Sequence, residues 1–344
     1  MNSVDNLQDA STSEAWRQFD GKSVLVTGGT GSFGKHFIRQ LLKSASPRRL
    51  VIFSRDEMKQ FDMQNELTPL DKNGVLRFFI GDVRDRSRLE MAFRRIDIVI
   101  HAAALKQVPT AEYNPFECIH TNVLGAEYIV HAALRCDVSR VIALSTDKAA
   151  SPINLYGASK LASDKIFLAA NNLSGSGGAR FSVVRYGNVM ASRGSVIPFF
   201  QRLIAEGAKS LPITDSRMTR FWITLPVAAD FVAASVGRMS GGEIFVPKIP
   251  SMKITSLADA IAPGMPHELV GIRPGEKLHE VMITEDDARN TIELSDHYVI
   301  QPSFGYWSRP AYLESAEPVA ENFRYASDNN TQWLDADMLR KLIG

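Results

Sequence analysis

Short apolar runs alternate with longer amphipathic stretches through the first half of the chain. The apolar runs, rich in valine, isoleucine and phenylalanine, are residues 23–26, 49–53, 76–80, 96–100, 140–145 and 181–186. Stretches with helical spacing lie between or after them, the clearest being residues 36–42, 88–95, 115–134 and 156–171. This order is typical of βαβ units, in which helices cover both faces of a parallel sheet. The pattern therefore predicts an α/β fold with a Rossmann-type, doubly wound parallel sheet.

A glycine-rich turn follows the first apolar run and precedes the first helical stretch. It reads Thr27-Gly-Gly-Thr-Gly-Ser-Phe-Gly34, with glycines three apart at Gly28, Gly31 and Gly34. Glycines in a strand–turn–helix context let the backbone approach a pyrophosphate, which then lies at the positive end of the helix dipole. A glycine string alone is weak evidence because flexible turns produce such strings often. The strand before it and the helix after it favour a dinucleotide-binding site.

The regular alternation fades after residue 187, where glycine, proline and scattered arginines become more frequent. We therefore predict a dinucleotide-binding domain over residues 21–187. Residues 188–344 are predicted to be a smaller, mainly substrate-binding portion, with some segments returning to the sheet. Residues 1–20 are polar and are predicted to form a loosely ordered leader before the first strand.

Composition narrows the class of protein. The 344 residues are 45% hydrophobic and 22% charged, with a net charge of +1, so nothing favours binding to nucleic acid or to acidic membranes. The apolar runs are too short to span a bilayer, and the first residues lack the apolar core of a secretory signal. Cys118 and Cys136 are interpreted as small core residues, and the sequence has no zinc-binding motif. We expect a cytoplasmic protein without a metal.

The end of the second apolar run bears on the choice of cofactor. An acidic residue at this position accepts the ribose hydroxyls of NAD, whereas arginine accommodates the 2′-phosphate of NADP. The run ends in Ser54-Arg55, and Lys59 follows, which favours NADP. Asp56 opposes that interpretation, because a shift of one residue in the alignment places it at the acidic position. Arg55 and Lys59 can also be read as solvated loop charges.

A tyrosine and a lysine lie four residues apart at Tyr156 and Lys160, and Thr146-Asp147-Lys148 precedes them. A lysine one helical turn after a tyrosine lies on the same face, and its charge is expected to lower the tyrosine pKa from about 10. Tyr156 is therefore a candidate base for an alcohol proton, although such pairs also occur in ordinary helices. Asp147 and Lys148 are expected at the carboxyl end of a strand, facing the cofactor crevice. These two further ionisable groups imply more proton transfers than a simple alcohol dehydrogenase needs.

These residues resemble one known family. The glycine turn and Tyr156-Gly-Ala-Ser-Lys160 are similar to the extended short-chain dehydrogenases/reductases. Longer strings resemble the inverting UDP-N-acetylglucosamine 4,6-dehydratases of that family, which make the first intermediate of pseudaminic acid, a sugar of bacterial flagellin and surface glycans. These strings are residues 79–85, 101–106, 145–149, 218–222, 249–253 and 271–277. The resemblance runs from about residue 21 to the carboxyl end.

The resemblance implies roles for the site residues. Tyr156, aided by Lys160 and with Thr146 beside it, would take the proton of the sugar 4-hydroxyl while hydride leaves carbon 4. Lys148 would then remove the carbon 5 proton, and Asp147 would protonate the departing 6-hydroxyl, although the residues themselves leave the division between Asp147 and Lys148 open. A neutral Lys148 is needed, so we expect its pKa to be lowered. The expected NADP contacts are Gly28, Thr30, Gly31, Ser32, Phe33, Gly34, Ser54, Arg55, Lys59, Asp82, Val83, Ala102, Lys106, Tyr156 and Lys160.

The resemblance also implies a substrate site for UDP-N-acetylglucosamine. Its expected residues are Lys106, Tyr156, Asn188, Val196, Arg220, Arg273 and Glu276. Arg220 and Arg273 suit the two phosphates because a guanidinium group matches phosphate oxygens in geometry, although a lone arginine is more often a solvated surface residue. Family members form homo-oligomers, often hexamers.

Three other functions remain compatible with parts of the pattern. A UDP-sugar 4-epimerase uses the same tyrosine and lysine but has no need of Asp147 and Lys148. A retaining UDP-sugar 4,6-dehydratase commonly carries aspartate–glutamate where this chain has aspartate–lysine. A non-catalytic regulator that senses NADP would need none of the four residues.

Overall fold

The apolar runs of the sequence fold into strands, which form one large sheet and three small ones over the residues that the structure describes. The computed structural model describes residues 12–175, 177–192, 194–303, 310–313 and 316–343. Its strands are β1 (Ser23–Thr27), β2 (Arg49–Ser54), β3 (Leu76–Ile80), β4 (Ile98–His101), β5 (Arg140–Thr146), β6 (Arg180–Tyr186), β7 (Asn188–Val189), β8 (Leu211–Ile213), β9 (Thr219–Ile223), β10 (Ile244–Pro247), β11 (Ser251–Lys253), β12 (His267–Leu269), β13 (Val281–Ile283), β14 (Thr291–Glu293), β15 (His297–Ile300), β16 (Glu317–Pro318) and β17 (Tyr325–Ala326).

Helices connect most of these strands. They are α1 (Thr12–Arg17), α2 (Ser32–Ser44), α3 (Glu57–Leu67), α4 (Arg86–Phe93), α5 (Val108–Tyr113), α6 (Pro115–Ile119), α7 (Gly125–Arg135), α8 (Leu155–Ser174), α9 (Val196–Ala205), α10 (Leu225–Arg238), α11 (Ile254–Ile261), α12 (Glu285–Ala288) and α13 (Ala336–Ile343). Short 3-10 turns cover Thr68–Leu70, Asp147–Ala149 and Ala311–Leu313. Within the described ranges, none of the helices combines the length and the apolar character that crossing a bilayer requires.

The large sheet has ten strands in the order β16-β14-β15-β10-β6-β5-β4-β1-β2-β3. From β3 to β10 neighbouring strands are parallel, and β15, β14 and β16 continue the sheet with antiparallel pairing. The order 3-2-1-4-5-6 is that of a dinucleotide-binding Rossmann sheet. The predicted fold class is confirmed. Because these strands are parallel, the carboxyl ends of β1, β4 and β5 share one edge, where the ligand of such a sheet binds.

A second, smaller core lies outside the large sheet. It is built from β8, β9, β11, α9, α11 and α13, and its buried side chains include Ile197, Phe200, Trp222, Met252 and Leu257. Other parts of the second half, β10 and β14–β16, pair within the large sheet instead. The chain therefore crosses repeatedly between the two cores after residue 187. The domain boundary at that residue stays a prediction.

The single helix predicted over residues 115–134 is interrupted. Helix α6 ends at Ile119, a π-helical segment covers His120–Leu124, and α7 begins at Gly125. The segment carries Asn122, whose side-chain amide donates to the Leu105 carbonyl and accepts from the Leu105 N–H, both at 2.9 Å. A π-helical turn contains one residue more than an α-helical turn, so the side chains that follow it are shifted around the helix axis. Such turns are frequent at functional sites. Cys118 and Cys136 are free cysteines.

The prediction of a loosely ordered leader is wrong for the described residues 12–20. Trp16 of α1 and Phe19, in the turn just after the helix, pack into the main core, where both are fully buried. The Trp16 ring lies 5.0 Å from Phe37 of α2, and its Nε1–H donates to Asp230 of α10 at 2.8 Å. The two aromatic residues stand among polar neighbours in the sequence, so they show no apolar run. Their burial depends on helices that come much later in the chain.

Trp16→Ala is expected to lower the free energy of unfolding by about 3–5 kcal/mol, because it leaves a cavity and an unpaired Asp230. Chemical denaturation measures the change. Glu14→Ala, on the exposed face of the same helix, is the matched control and should change stability by less than about 0.5 kcal/mol. Equal effects of the two substitutions would show that α1 does not contribute to the core.

Candidate active site

The glycine turn between β1 and α2 is pressed against the end of β4. Gly28 has a φ of +65°, and a Cβ added there would lie 2.8 Å from the Ala103 backbone nitrogen. A Cβ at Gly34 would lie 2.6 Å from the Gly29 Cα, so the first turn of α2 packs directly on the glycine turn. Helix α2 begins after Gly31 without a side-chain cap. The turn therefore combines a narrow backbone cradle with the positive end of a helix, as a bound pyrophosphate requires.

Two hydroxyl groups hold this cradle in place. Thr30 Oγ1 lies 2.7 Å from Ser54 Oγ at the end of β2. Thr27 Oγ1 accepts from the N–H groups of Ala102 and Ala103 and bonds His101 Nδ1 at 2.8 Å. Burial lowers the pKa of His101 to about 3, so this ring stays neutral. The ends of β1, β2 and β4 are thereby fixed relative to one another.

The charged residues after β2 divide into two pairs. Asp56 is the N-cap of α3, because its carboxylate accepts from the Lys59 N–H at 3.0 Å and also pairs with the Lys59 ammonium. Arg55 is half-exposed and lies 3.4 Å from Asp82. Burial raises the pKa of Asp82, but its hydrogen bonds with Arg84 outweigh this and hold the pKa below its usual value. Asp56 is thus occupied as a helix cap, whereas Arg55 remains accessible to a ligand.

The remaining predicted cofactor contacts lie along the same edge. Phe33 packs against the main core and lies 5.6 Å from Phe37. Val83 is buried, and a Cβ at Gly125 would come within 3.2 Å of its side chain. Lys106 is exposed at the surface, and its pKa is lowered, first by the cost of desolvating its ammonium and then by the charge of Lys148. The structure therefore brings Lys106 close to the Asp147–Lys148 pair.

The carboxyl end of β5 carries the predicted acid–base pair. Thr146 Oγ1 accepts from the Lys148 N–H at 3.3 Å and donates to Asp147 Oδ1 at 2.9 Å. The Lys148 ammonium lies 3.0 Å from the same Asp147 oxygen. Asp147 is fully buried, and burial raises its pKa. Burial thus shifts Asp147 toward its protonated form, the direction that suits an acid.

Helix α8 places Tyr156 beside this pair. Asn154 caps the helix by accepting from the Gly157 N–H, and its own amide donates to the Gly275 carbonyl, both at 2.7 Å. A Cβ at Gly157 would lie only 2.2 Å from the Lys148 carbonyl oxygen, so only glycine lets the helix approach so closely. This contact brings Tyr156 next to Thr146, whose side chain acts to lower the pKa of the Tyr156 phenol.

The expected lowering of the Tyr156 pKa by Lys160 is wrong. Burial raises the pKa of Tyr156 to about 12, and the lysine that opposes this most strongly is Lys148. Lys160 is buried on the same helix, and burial lowers its own pKa while Asp164 raises it. Asp164 in turn accepts from Ser145 Oγ at 2.7 Å and lies 3.4 Å from Arg185. Lys160 therefore belongs to a second buried charge cluster behind the tyrosine.

The expected lowering of the Lys148 pKa is also wrong. Burial lowers the pKa of this ammonium, but the charges of Asp147 and Glu280 outweigh burial and raise it. Glu280 Oε1 lies 3.2 Å from Lys148 Nζ, and Asn188 Oδ1 lies 3.3 Å from it. The sequence reasoning missed Glu280. Glu280 stands next to the apolar run of β13, a position with no chemical signature in a single sequence.

Arg220 is more buried than a phosphate-binding arginine should be. Its guanidinium group donates to the backbone carbonyls of Thr219, Lys277 and Leu278 and lies 3.8 Å from Glu280. Most of its donors are thus used inside the protein, and its binding of a substrate phosphate stays a prediction. Arg273, by contrast, is half-exposed and lies 3.7 Å from Glu276. Val196 begins α9 and packs, partly buried, against the smaller core.

The fold order, the glycine cradle and the Tyr156–Lys160 pair beside an acid–base turn define an extended short-chain dehydrogenase/reductase. The profile of the family described as polysaccharide biosynthesis protein matches residues 24–302. The chain belongs to this family.

Similar proteins support the predicted branch of the family. The chain is 54% identical to the inverting UDP-N-acetylglucosamine 4,6-dehydratase of Campylobacter jejuni subsp. jejuni, over 94% of this chain and 98% of the relative. It is 40% identical to a UDP-glucose 4-epimerase of Rickettsia akari, over 94% of this chain and 96% of the relative. The X-ray structure of Pen from Bacillus thuringiensis superposes with a TM-score of 0.84 at 36% identity, covering 94% of this chain and 98% of that chain. The resemblance found in the sequence is confirmed.

Gly28→Ala is expected to destabilise the protein and to weaken dinucleotide binding at least tenfold, because the added Cβ meets the Ala103 backbone at a positive φ. Thermal unfolding and calorimetric titration with the dinucleotide measure the two effects. Gly74→Ala is the matched control: Gly74 also has a positive φ of +61°, but a Cβ there meets nothing. If both variants bind the dinucleotide like the unmodified protein, Gly28 does not form the cradle.

Proposed function

We propose that this protein converts UDP-N-acetylglucosamine to UDP-2-acetamido-2,6-dideoxy-β-L-arabino-hex-4-ulose, by 4,6-dehydration with inversion at carbon 5. The observation that carries the proposal is the contact between Tyr156 and the Thr146-Asp147-Lys148 turn. An alcohol oxidation needs one base, whereas elimination of water needs a second base and an acid. The chain has ionisable groups for all three tasks in one buried cluster, and its similarity to the Campylobacter dehydratase supports the assignment.

The glycine cradle fits a nicotinamide dinucleotide, because Gly28 and Gly34 leave the space that its pyrophosphate occupies in such turns. A nicotinamide dinucleotide held in this cradle would supply a transient hydride acceptor for sugar carbon 4 and a hydride donor for carbon 6. We assign NADP as the cofactor. Asp56 is occupied as the cap of α3, and Arg55 with Lys59 supplies positive charge for the 2′-phosphate.

The chain's own residues handle the protons. Tyr156 takes the proton of the 4-hydroxyl; the Lys148 charge and the Thr146 hydrogen bond stabilise its phenolate, and Lys160 adds a buried cation on the same helix. Lys148 removes the carbon 5 proton, and Asp147 protonates the departing 6-hydroxyl. Carbon 5 is then protonated from the opposite face, which inverts it. Lys148 acts as a base only after its own proton has passed to a neighbouring carboxylate, and the Glu280 carboxylate, 3.2 Å from its nitrogen, takes it while Asp147 keeps the proton for the 6-hydroxyl.

The substrate is proposed to lie between this cluster and the segment before β13. Lys106, Asn188 and Val196 are assigned to the sugar side, and Arg273 with Glu276 to the nucleotide side. Arg273 is half-exposed and can meet a phosphate, whereas Arg220 is proposed to shape the site from inside. We also propose that the protein is cytoplasmic, assembles as a homo-oligomer such as a hexamer, and catalyses the first step of pseudaminic acid synthesis.

A UDP-sugar 4-epimerase is the second candidate, because a curated epimerase is 40% identical over nearly the whole chain. Epimerisation needs only the oxidation and reduction of carbon 4. It gives no role to Lys148 as a base for carbon 5. The two functions therefore differ in the fate of the carbon 5 hydrogen.

Incubation with UDP-N-acetylglucosamine in deuterated water is expected to give a 4-keto-6-deoxy sugar with deuterium at carbon 5 and the L-arabino configuration. Lys148→Ala should reduce its formation about 100-fold or more, as loss of a general base does, while dinucleotide binding stays intact. NMR of the product identifies the sugar and its label. Lys165→Ala, an exposed lysine of α8, is the control and should be as active as the unmodified protein.

Each alternative gives a different product in this assay. UDP-N-acetylgalactosamine would identify an epimerase, and the D-xylo ketosugar alone at early times would identify a retaining dehydratase. Unchanged substrate would point to a sensor of the dinucleotide. Near-normal turnover of Lys148→Ala would contradict the assigned base.

Arg55→Ala is expected to weaken NADP binding about tenfold or more and to leave NAD binding nearly unchanged, because only NADP carries the 2′-phosphate that the guanidinium group meets. Calorimetric titration with each dinucleotide gives the ratio. Arg77→Ala removes another exposed arginine from the neighbouring strand β3 and serves as the control. Parallel losses of NADP and NAD affinity would contradict the assignment of NADP by Arg55.

A further inference from the structure

Glu280 is a buried carboxylate at the centre of the candidate site. Its side chain is 2% exposed, and Oε1 lies 3.2 Å from Lys148 Nζ and 3.8 Å from Arg220 Nε. Two backbone hydrogen bonds fix its position, since its N–H donates to Ser327 Oγ at 2.9 Å and its carbonyl accepts from the Ser327 N–H at 2.8 Å. The carboxylate is therefore held in place from both the main chain and the side chain.

The two buried carboxylates beside Lys148 have different surroundings. Glu280 is close to Lys148 and Arg220, and the charge of Lys277 also acts on it. Asp147 shares Lys148 and accepts a hydrogen bond from Thr146. Each carboxylate also has one oxygen, Asp147 Oδ2 and Glu280 Oε2, that is buried without a hydrogen-bond partner among the described residues. Ionising both carboxylates places two negative charges against one shared ammonium. The carboxylate with fewer cations then takes up a proton most readily.

We propose that Glu280 is a positioning residue whose fixed negative charge competes for Lys148 and thereby keeps the proton on Asp147. The catalytic role of this proton rests on the proposed function, in which a protonated Asp147 gives its proton to the departing 6-hydroxyl. Glu280 would thus decide which member of the Asp147–Lys148 pair is the acid. The residues of that pair could not decide this by themselves.

The charges of the neighbouring groups agree with a protonated Asp147 beside a negatively charged Glu280. The titratable groups that face Asp147 are Lys148 in its own turn, Tyr156 of α8, and Glu280 and Lys277 before β13. Burial raises the pKa of Asp147, and the charge of Glu280 raises it further, against the opposing effect of Lys148. Burial also disfavours the Glu280 anion, yet the cations of Lys148, Arg220 and Lys277 hold its pKa below the usual value.

Infrared spectroscopy tests the proposal without turnover, from the carbonyl stretch of a protonated carboxyl group in the full-length protein. The difference between the unmodified protein and Asp147→Asn assigns the Asp147 band. We expect this band to persist well above about pH 4, where an ordinary aspartic acid ionises. In Glu280→Gln, which keeps the size of the side chain but removes its charge, the midpoint should fall by about one pH unit or more. Glu280→Asp keeps the charge and should retain most of the upward shift.

Glu285→Gln is the matched control, because it removes a carboxylate exposed on nearby α12. It should leave the Asp147 midpoint unchanged. The proposal is overturned if Glu280→Gln titrates like the unmodified protein, or if no band persists above the ordinary range. The absence of such a band is measured without the Glu280→Gln variant, so it tests the proposal even if that variant does not fold. A protein that shows the expected bands but yields no ketosugar would contradict the proposed function alone.

Discussion

The site depends on one buried ammonium group that two buried carboxylates share. Lys148 lies 3.0 Å from Asp147 and 3.2 Å from Glu280, and both carboxylates are almost fully inaccessible to solvent. Buried charges are stable only when they are paired. Replacing one of these three side chains leaves another charge unpaired and therefore lowers the stability of the protein. The low local dielectric also makes each charge act strongly on its neighbours. The proton distribution in the site follows from this arrangement.

The scaffold brings these groups together from distant parts of the sequence. The end of β5 supplies Asp147 and Lys148, and α8 approaches them because Gly157 has no side chain. The segment between α11 and β13 closes the other side, where Arg220 binds the backbone carbonyls of Lys277 and Leu278. Arg220 thus fixes the chain just before Glu280. The smaller core therefore takes part in the electrostatics of the acid–base groups as well as in forming the substrate side.

The sequence allowed the sheet, the glycine turn and the Tyr156–Lys160 pair to be predicted because each has a local signature. Alternating apolar runs specify buried parallel strands, and glycines three apart specify a tight turn. The π-helical turn at Asn122, the burial of Trp16 and the contact of Glu280 with Lys148 had no such signature. Each depends on a partner more than ten residues away, and a single sequence does not show which distant residues meet. The directions of the pKa shifts of Tyr156 and Lys148 were missed because they depend on burial and on the charges of Asp147 and Glu280, whose strength inside the protein a sequence does not show.

The hydrogen bond between Trp16 and Asp230 joins residues that are 214 positions apart. Closing so long a loop is entropically unfavourable until many other contacts have formed. During synthesis, helix α1 must therefore wait for most of the chain to leave the ribosome before it reaches its final partner. In that interval Trp16 and Phe19 have Phe37 of α2 to pack against, but the face of α1 that later meets α10 stays exposed, and it becomes a surface to which a chaperone or another nascent chain can bind.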